Sequence, residues 1–71
     1  MEEDIYTPDS SNIYRIKYND ETYILEVEFN NGGTYEYYDV PITIWENFKL
    51  ADSKGKFLHE YIKGNYRYSK V

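Results

Sequence analysis

The sequence predicts an α+β fold in which a three-stranded antiparallel β-meander is followed by two short helices packed on one face. Three observations predict it: apolar residues alternate over residues 13–18 and 23–29, a turn motif fills residues 30–33, and helical spacing follows Pro41. Elements with one apolar face each form two layers around a small core. The chain is therefore one domain (residues 1–71), with a flexible arm (1–11), a core (12–66) and a tail (67–71).

The first hairpin follows from two alternating segments on either side of the polar turn Asn19–Thr22. With these four residues as the loop, Tyr18 faces Tyr23, and the remaining pairs keep every apolar residue on one face. The residues predicted on that face are Tyr14, Ile16, Tyr18, Tyr23, Leu25, Val27 and Phe29.

The second turn, Asn30–Gly33, allows two registers. A two-residue turn of Asn31 and Gly32 would place Glu36 on the core face. A three-residue loop of residues 31–33, with Gly33 in the left-handed region, pairs Phe29 with Tyr35 and exposes Glu36. We therefore predict the three-residue loop, with Tyr35 and Tyr37 in the core and Tyr38 pointing away.

Proline at position 41 ends the sheet and suits the first turn of a helix. Helices are predicted over residues 42–51 and 56–63, the second ending at Gly64. The predicted buried residues are Ile44, Trp45, Phe48, Ala51, Phe57, Leu58, Tyr61 and Ile62.

Composition excludes several classes of protein. The chain has no cysteine and one histidine, so it lacks disulfides and the ligands of a structural zinc site, and we expect neither metal nor cofactor. The same absences leave no nucleophilic triad, so we predict a non-enzyme. No apolar run reaches the roughly 20 residues of a membrane span. We expect a soluble cytoplasmic monomer or homodimer without membrane contact.

Charge is divided along the chain. Residues 1–39 hold ten acids and two bases, whereas residues 40–71 hold three acids and six bases, within a net charge of −5. The acidic sum opposes non-specific binding to nucleic acid, but the basic second half allows a local anion site.

Two segments of the second half suggest phosphate chemistry. Residues 53–56 read Ser-Lys-Gly-Lys before a helix, which is compatible with phosphate binding or with an ordinary N-cap by Ser53. The tail interleaves tyrosines with cations, the combination that binds single strands. The candidate phosphate contacts are Lys54, Lys56, Lys63 and Arg67, and the candidate stacking residues are Tyr38 and Tyr68.

The order of several motifs resembles the KTSC domain family: Ser11-Asn12-Ile13, Gly33-x-Tyr35-x-Tyr37, Val40-Pro41, Ala51-x-Ser53-x-Gly55-x-Phe57 and Ile62-Lys63-x-x-Tyr66. The resemblance covers residues 10–66. This family occurs at the C-terminus of some lysyl-tRNA synthetases and as small bacterial and phage proteins. Its synthetase context implies RNA binding.

The leading hypothesis is therefore a small non-enzymatic module that binds RNA or a nucleotide-like phosphate ligand. The alternative is a small, phage-encoded interaction or inhibitor protein that docks on a host protein or sequesters a signalling nucleotide as an oligomer. In that alternative, Glu26, Glu28 and Glu36 would form an acidic docking face.

Overall fold

A computed structural model describes residues 1–7 and 12–71. Within them, five antiparallel strands form one sheet in chain order, with the helical segments packed on one face. The elements are β1 (Glu2–Tyr6), β2 (Ile13–Asn19), β3 (Ile24–Phe29), β4 (Thr34–Tyr37), α1 (Ile42–Leu50), α2 (Lys54–Phe57), a π-helical turn (Leu58–Ile62) and β5 (Tyr68–Lys70). The predicted α+β class is confirmed. None of the described helices is long and apolar enough to span a membrane.

The predicted count of three strands is wrong, because the described chain adds a strand at each edge of the meander. Residues 2–6, assigned to the arm, pair with β2, and residues 68–70, assigned to the tail, pair with β4. Charged side chains hide the alternation in β1, and three residues are too few to show a period in β5. Arm residues 8–11 lie outside the described residues.

The first hairpin keeps its predicted face but not its predicted register. Tyr18 pairs with Leu25 instead of Tyr23, a shift of two residues. Two residues are one full period of a strand, so the apolar face is preserved. The turn is longer than predicted, because Tyr23 has φ +60° and donates its N–H to the Asn19 carbonyl at 2.8 Å. Tyr23 is therefore 50% exposed, and its placement in the core is wrong.

A β-bulge in β2 makes the predicted burial of a second tyrosine, Tyr14, wrong. The register of β2 against β3 shifts between Ile13 and Arg15. A bulge leaves one residue unpaired and re-aims its side chain. Ile13 is consequently buried, whereas Tyr14 is exposed and packs edge-on against Tyr6 at 5.5 Å.

The second hairpin has the predicted loop length at a different position. The Phe29 N–H donates to the Gly33 carbonyl at 2.7 Å, so the loop is residues 30–32. Gly32, with φ +95°, takes the left-handed position that was predicted for Gly33. Tyr35 therefore pairs with Val27 instead of Phe29. The predicted faces survive, because Tyr37 is buried.

Trp45 joins the helical layer to the sheet. Its ring stacks on Tyr18 at 5.3 Å with an interplanar angle of 15°. The Tyr18 hydroxyl donates to the Val40 carbonyl at 2.6 Å, just before α1 begins. The indole N–H donates to Glu3 of β1 at 2.8 Å, and Lys49 reaches the same carboxylate at 2.9 Å. The ring stack thus connects α1 to β1 and β2.

The second helical segment extends the series of aromatic contacts that runs from Trp45 to Phe48 in α1. Phe57 stacks on Phe48 at 5.3 Å and contacts Tyr61 at 4.8 Å. The Lys63 N–H donates to the Leu58 carbonyl at 2.8 Å, the five-residue spacing of a π-helix. Tyr61 is 51% exposed, so its predicted burial is wrong, whereas Leu58 and Ile62 are buried as predicted.

Replacing Tyr18 by phenylalanine should lower the free energy of unfolding by about 1–2 kcal/mol, because the buried Val40 carbonyl loses its donor. Urea unfolding followed by circular dichroism measures the change. Tyr23→Phe is the matched control, since that ring is half exposed. Equal losses in both variants would contradict the assignment.

Protonation of Glu3 should lower the free energy of unfolding at acidic pH. The hydrogen bond from Trp45, and then that from Lys49, lowers the pKa of Glu3 below its ordinary value of 4.5. A lowered pKa contributes stability above pH 4.5 that is lost as the pH falls through the folded-state pKa. Urea unfolding followed by Trp45 fluorescence at neutral and acidic pH should show a smaller acid loss in Glu3→Gln than in the unmodified chain. An equal loss would refute the assignment.

Candidate ligand-binding groove

A groove of about 1020 Å³ lies on the helix-facing side of the sheet, where the helical layer leaves β5 uncovered. Four aromatic rings line it: Phe29, Tyr35, Tyr37 and Tyr68. Tyr37 is buried, and Tyr68 is 60% exposed. The groove therefore has an aromatic wall in which Tyr68 is the most exposed ring, while Phe29 and Tyr35 are partly buried.

The pairing of β4 with β5 positions these rings. Tyr37 lies directly opposite Tyr68, and Tyr35 lies opposite Lys70. Residues directly opposite each other in a sheet share a face. The Tyr68 ring contacts Tyr35 at 5.8 Å and Tyr37 at 5.9 Å, and Tyr35 meets Phe29 edge-on at 5.7 Å. The rings thus form one connected surface.

The rim of the groove is cationic. Lys63 follows the π-helical turn, and Gly64, with φ +84°, turns the chain away beside it. Lys63 and Lys70 line the groove, and the described residues that line it include no carboxylate. Burial, with smaller contributions from Tyr35 and Tyr68, raises the pKa of Tyr37, so its hydroxyl stays neutral. The groove is suited to an anion that carries a flat ring.

Asparagines border the opposite end. Asn12 accepts the Asn30 N–H on its backbone carbonyl at 2.9 Å, and Asn31 accepts the Gly33 N–H on its side chain at 3.2 Å. Asn12 also packs against Gly55, where an added Cβ would lie 2.7 Å from its side-chain oxygen. The contact brings together two residues of the motif, Asn12 and Gly55, and leaves no room for a side chain at position 55 unless Asn12 shifts.

Two of the six predicted site residues, Lys63 and Tyr68, meet in this groove. Arg67 and Tyr38 form a neighbouring pair, with the guanidinium 5.6 Å from the ring centroid. Arg67 also pairs with Asp39 at 2.8 Å. The structure therefore separates the predicted residues into a groove set and an Arg67 set.

Lys54 and Lys56 lie outside the groove. The Lys54 ammonium donates to the carbonyls of Lys49 and Ala51, at 3.1 and 2.7 Å, where α1 ends. Ser53 accepts the Lys56 N–H at 3.2 Å. Residues 53–56 therefore cap two helices, as the N-cap alternative predicts for Ser53.

Sequence reasoning assigned Phe29, Tyr35 and Tyr37 to the core alone. Their alternation showed the shared face, but their position beside Tyr68 depends on β5, which the sequence pattern does not reveal. The sequence around Lys70 offers only its positive charge as an indication that it could contact a ligand. Its place on the rim also depends on the pairing of β4 with β5.

Glu26, Glu28 and Glu36, the residues of the predicted acidic docking face, lie on the other face of the sheet. Arg15 pairs there with Glu26 at 3.1 Å, with Glu28 at 3.2 Å and with Asp4 at 2.9 Å. Glu36 accepts the Tyr38 hydroxyl at 3.3 Å. Among the residues described, no cluster of histidine, aspartate or glutamate could hold a metal ion.

Comparison with known proteins assigns the family. The KTSC domain model matches residues 9–66. The chain belongs to the KTSC domain family. The crystal structure of a KTSC domain protein from Yersinia pestis has the same fold, with a TM-score of 0.92 and 35% identity over 100% of this chain and 99% of that one.

Curated relatives show the KTSC domain in two settings. A lysine–tRNA ligase of Trichormus variabilis is 39% identical over 64 residues, which are 90% of this chain and 11% of the ligase. A short protein of Stutzerimonas stutzeri is 36% identical over 63 residues, 87% of this chain and 89% of its own length. This chain thus spans about a tenth of the ligases that it matches.

Lys54→Gln should lower the free energy of unfolding by about 1 kcal/mol, because the carbonyls at the end of α1 lose a charged donor. Urea unfolding measures the change. Lys56→Gln is the matched control, since Lys56 is exposed and should change stability by less than about 0.5 kcal/mol. Equal effects in the two variants would show that the capping contacts contribute nothing.

Proposed function

We propose that this KTSC domain is a non-enzymatic module that binds RNA or a nucleotide in the aromatic groove. The observation that carries the proposal is the composition of the groove. It combines an accessible tyrosine with two lysines and, among its described residues, no carboxylate. The chain as a whole has a net charge of −5, so this cationic lining is a local exception.

The chemistry of the groove fits a nucleotide. Every base has a π face that stacks on an aromatic ring, and lysines attract the backbone phosphates. Tyr68 presents such a ring, and the rings of Tyr35 and Tyr37 support it from beneath. Lys63 and Lys70 belong to the same lining, so one ligand could contact both the ring and the cations.

The relatives add context to this interpretation. The ligases that contain a similar segment are, by name, enzymes that act on tRNA. An RNA contact made by the segment would be consistent with that setting. Among the described residues, the lining contributes rings, amides and ammonium groups without a histidine or carboxylate, which supports binding over acid–base catalysis.

Tyr68→Leu should weaken binding of single-stranded RNA about tenfold, because leucine keeps the apolar contact with β4 but removes the π face. Tyr68→Phe should retain the affinity. Fluorescence anisotropy with a labelled oligoadenylate at low salt measures both. Absence of binding by the unmodified chain at low salt would refute the proposal.

Lys63→Gln should make the salt dependence of RNA binding shallower by about 0.7 in the slope of log affinity against log salt, the value for one lost phosphate contact on a single strand. Lys17→Gln is the matched control, because Lys17 lies opposite Glu26 in the sheet and outside the groove. An equal change in both variants would show that the lysines act only through net charge.

A further inference from the structure

A second concavity of about 630 Å³ adjoins the groove around β5. Its lining includes Tyr38, Arg67 and Ser69. Gly64 and Tyr68 line both concavities, so the two meet at these residues. Ser69 alternates with Tyr68 along β5 and pairs with Glu36, so the second concavity reaches toward the other face of the sheet. A ligand that stacks on Tyr68 would enter it by passing around this edge strand.

The second concavity also combines an aromatic ring with a cation, and the Tyr38 hydroxyl in it donates to Glu36 at 3.3 Å. The Arg67 guanidinium lies 5.6 Å from the centroid of the Tyr38 ring, and the Arg67 side chain is 78% exposed. A guanidinium binds phosphate through two parallel hydrogen bonds, which an ammonium cannot do. The junction of the two concavities thus lies between a lysine pair on one side and an arginine on the other.

Asp39 forms an ion pair with Arg67, with 2.8 Å between the carboxylate Oδ2 and the guanidinium Nη2. Both side chains are more than two-thirds exposed, and ion pairs between exposed side chains contribute little to stability. A phosphate can therefore replace the Asp39 carboxylate at small cost. The Tyr38 ring would hold the guanidinium in place during the exchange, because cations bind to the faces of aromatic rings.

We propose that the ligand is a single strand of at least two nucleotides. The strand runs from the groove across Tyr68 and Gly64 into the second concavity, where Arg67 exchanges Asp39 for a backbone phosphate. This inference rests on the proposed function, and it selects an oligonucleotide over a mononucleotide. Asp39 acts in it as an internal competitor that weakens binding of ligands long enough to reach Arg67.

The test compares AMP with the 5′-phosphorylated adenylate dinucleotide and tetranucleotide, titrated into the protein and followed by amide chemical shifts in NMR. The unmodified chain should bind the tetranucleotide at least about tenfold more tightly than AMP. Arg67→Gln should remove this gain and leave the AMP affinity unchanged. Because the Arg67 side chain is exposed, this variant should keep the fold, and its affinities can be compared with those of the unmodified chain.

Asp39→Asn is the complementary variant. Asp39 has φ +58°, a conformation that asparagine also tolerates, so the backbone should be retained. Loss of the competing carboxylate should raise the tetranucleotide affinity about threefold and leave the AMP affinity unchanged.

Three outcomes would overturn the inference. Equal affinities for AMP and the tetranucleotide, with binding intact, would refute the two-site path but leave the proposed function standing. A tetranucleotide gain that survives Arg67→Gln would place the extra contacts elsewhere. Absence of binding by every adenylate would refute the proposed function together with this inference.

Discussion

The stack of Trp45 on Tyr18 is the contact on which the rest of the fold depends. The chain has no cysteine, so no disulfide reinforces its small core. The polar atoms of both stacked rings have partners: the indole N–H donates to Glu3 at the sheet edge, and the buried Tyr18 hydroxyl donates to the Val40 carbonyl before α1. Buried tyrosine and tryptophan need such partners. One ring pair thereby holds β1, β2 and the start of α1 together.

The groove is a consequence of where that stack lies. The helical layer contacts β1 and β2 through Glu3 and Tyr18, at one side of the sheet. At the other side, Tyr68 of β5 remains 60% exposed although it shares the face of buried Tyr37. The same apolar face is therefore core at one side and solvent-accessible surface at the other. Tyrosine suits both environments, because its ring is apolar and its hydroxyl tolerates water.

The faces of the meander are predictable from sequence, whereas its edges are not. Tyr18, Leu25 and Tyr37 alternate with polar residues, and register shifts of two residues leave their faces unchanged. Glu3 points to the helical layer, yet its charge hides this orientation until Trp45 and Lys49 are seen to bind it. Lys63 and Tyr68 can likewise be named as candidate contacts from the sequence. That both line one groove becomes visible only once β5 is seen to pair with β4.

The negative charge of the chain is a weak objection to an anionic ligand, because several acidic side chains cluster on the sheet face opposite the groove. Arg15 gathers Asp4, Glu26 and Glu28 on the sheet face opposite the helices, whereas Lys63 and Lys70 line the groove on the helical side. Interactions between solvent-exposed charges are screened by salt, and this screening increases with their separation. A phosphate in the groove therefore responds mainly to the lysines beside it. For the proposed ligand, net charge would govern the long-range approach and the local lining would govern binding.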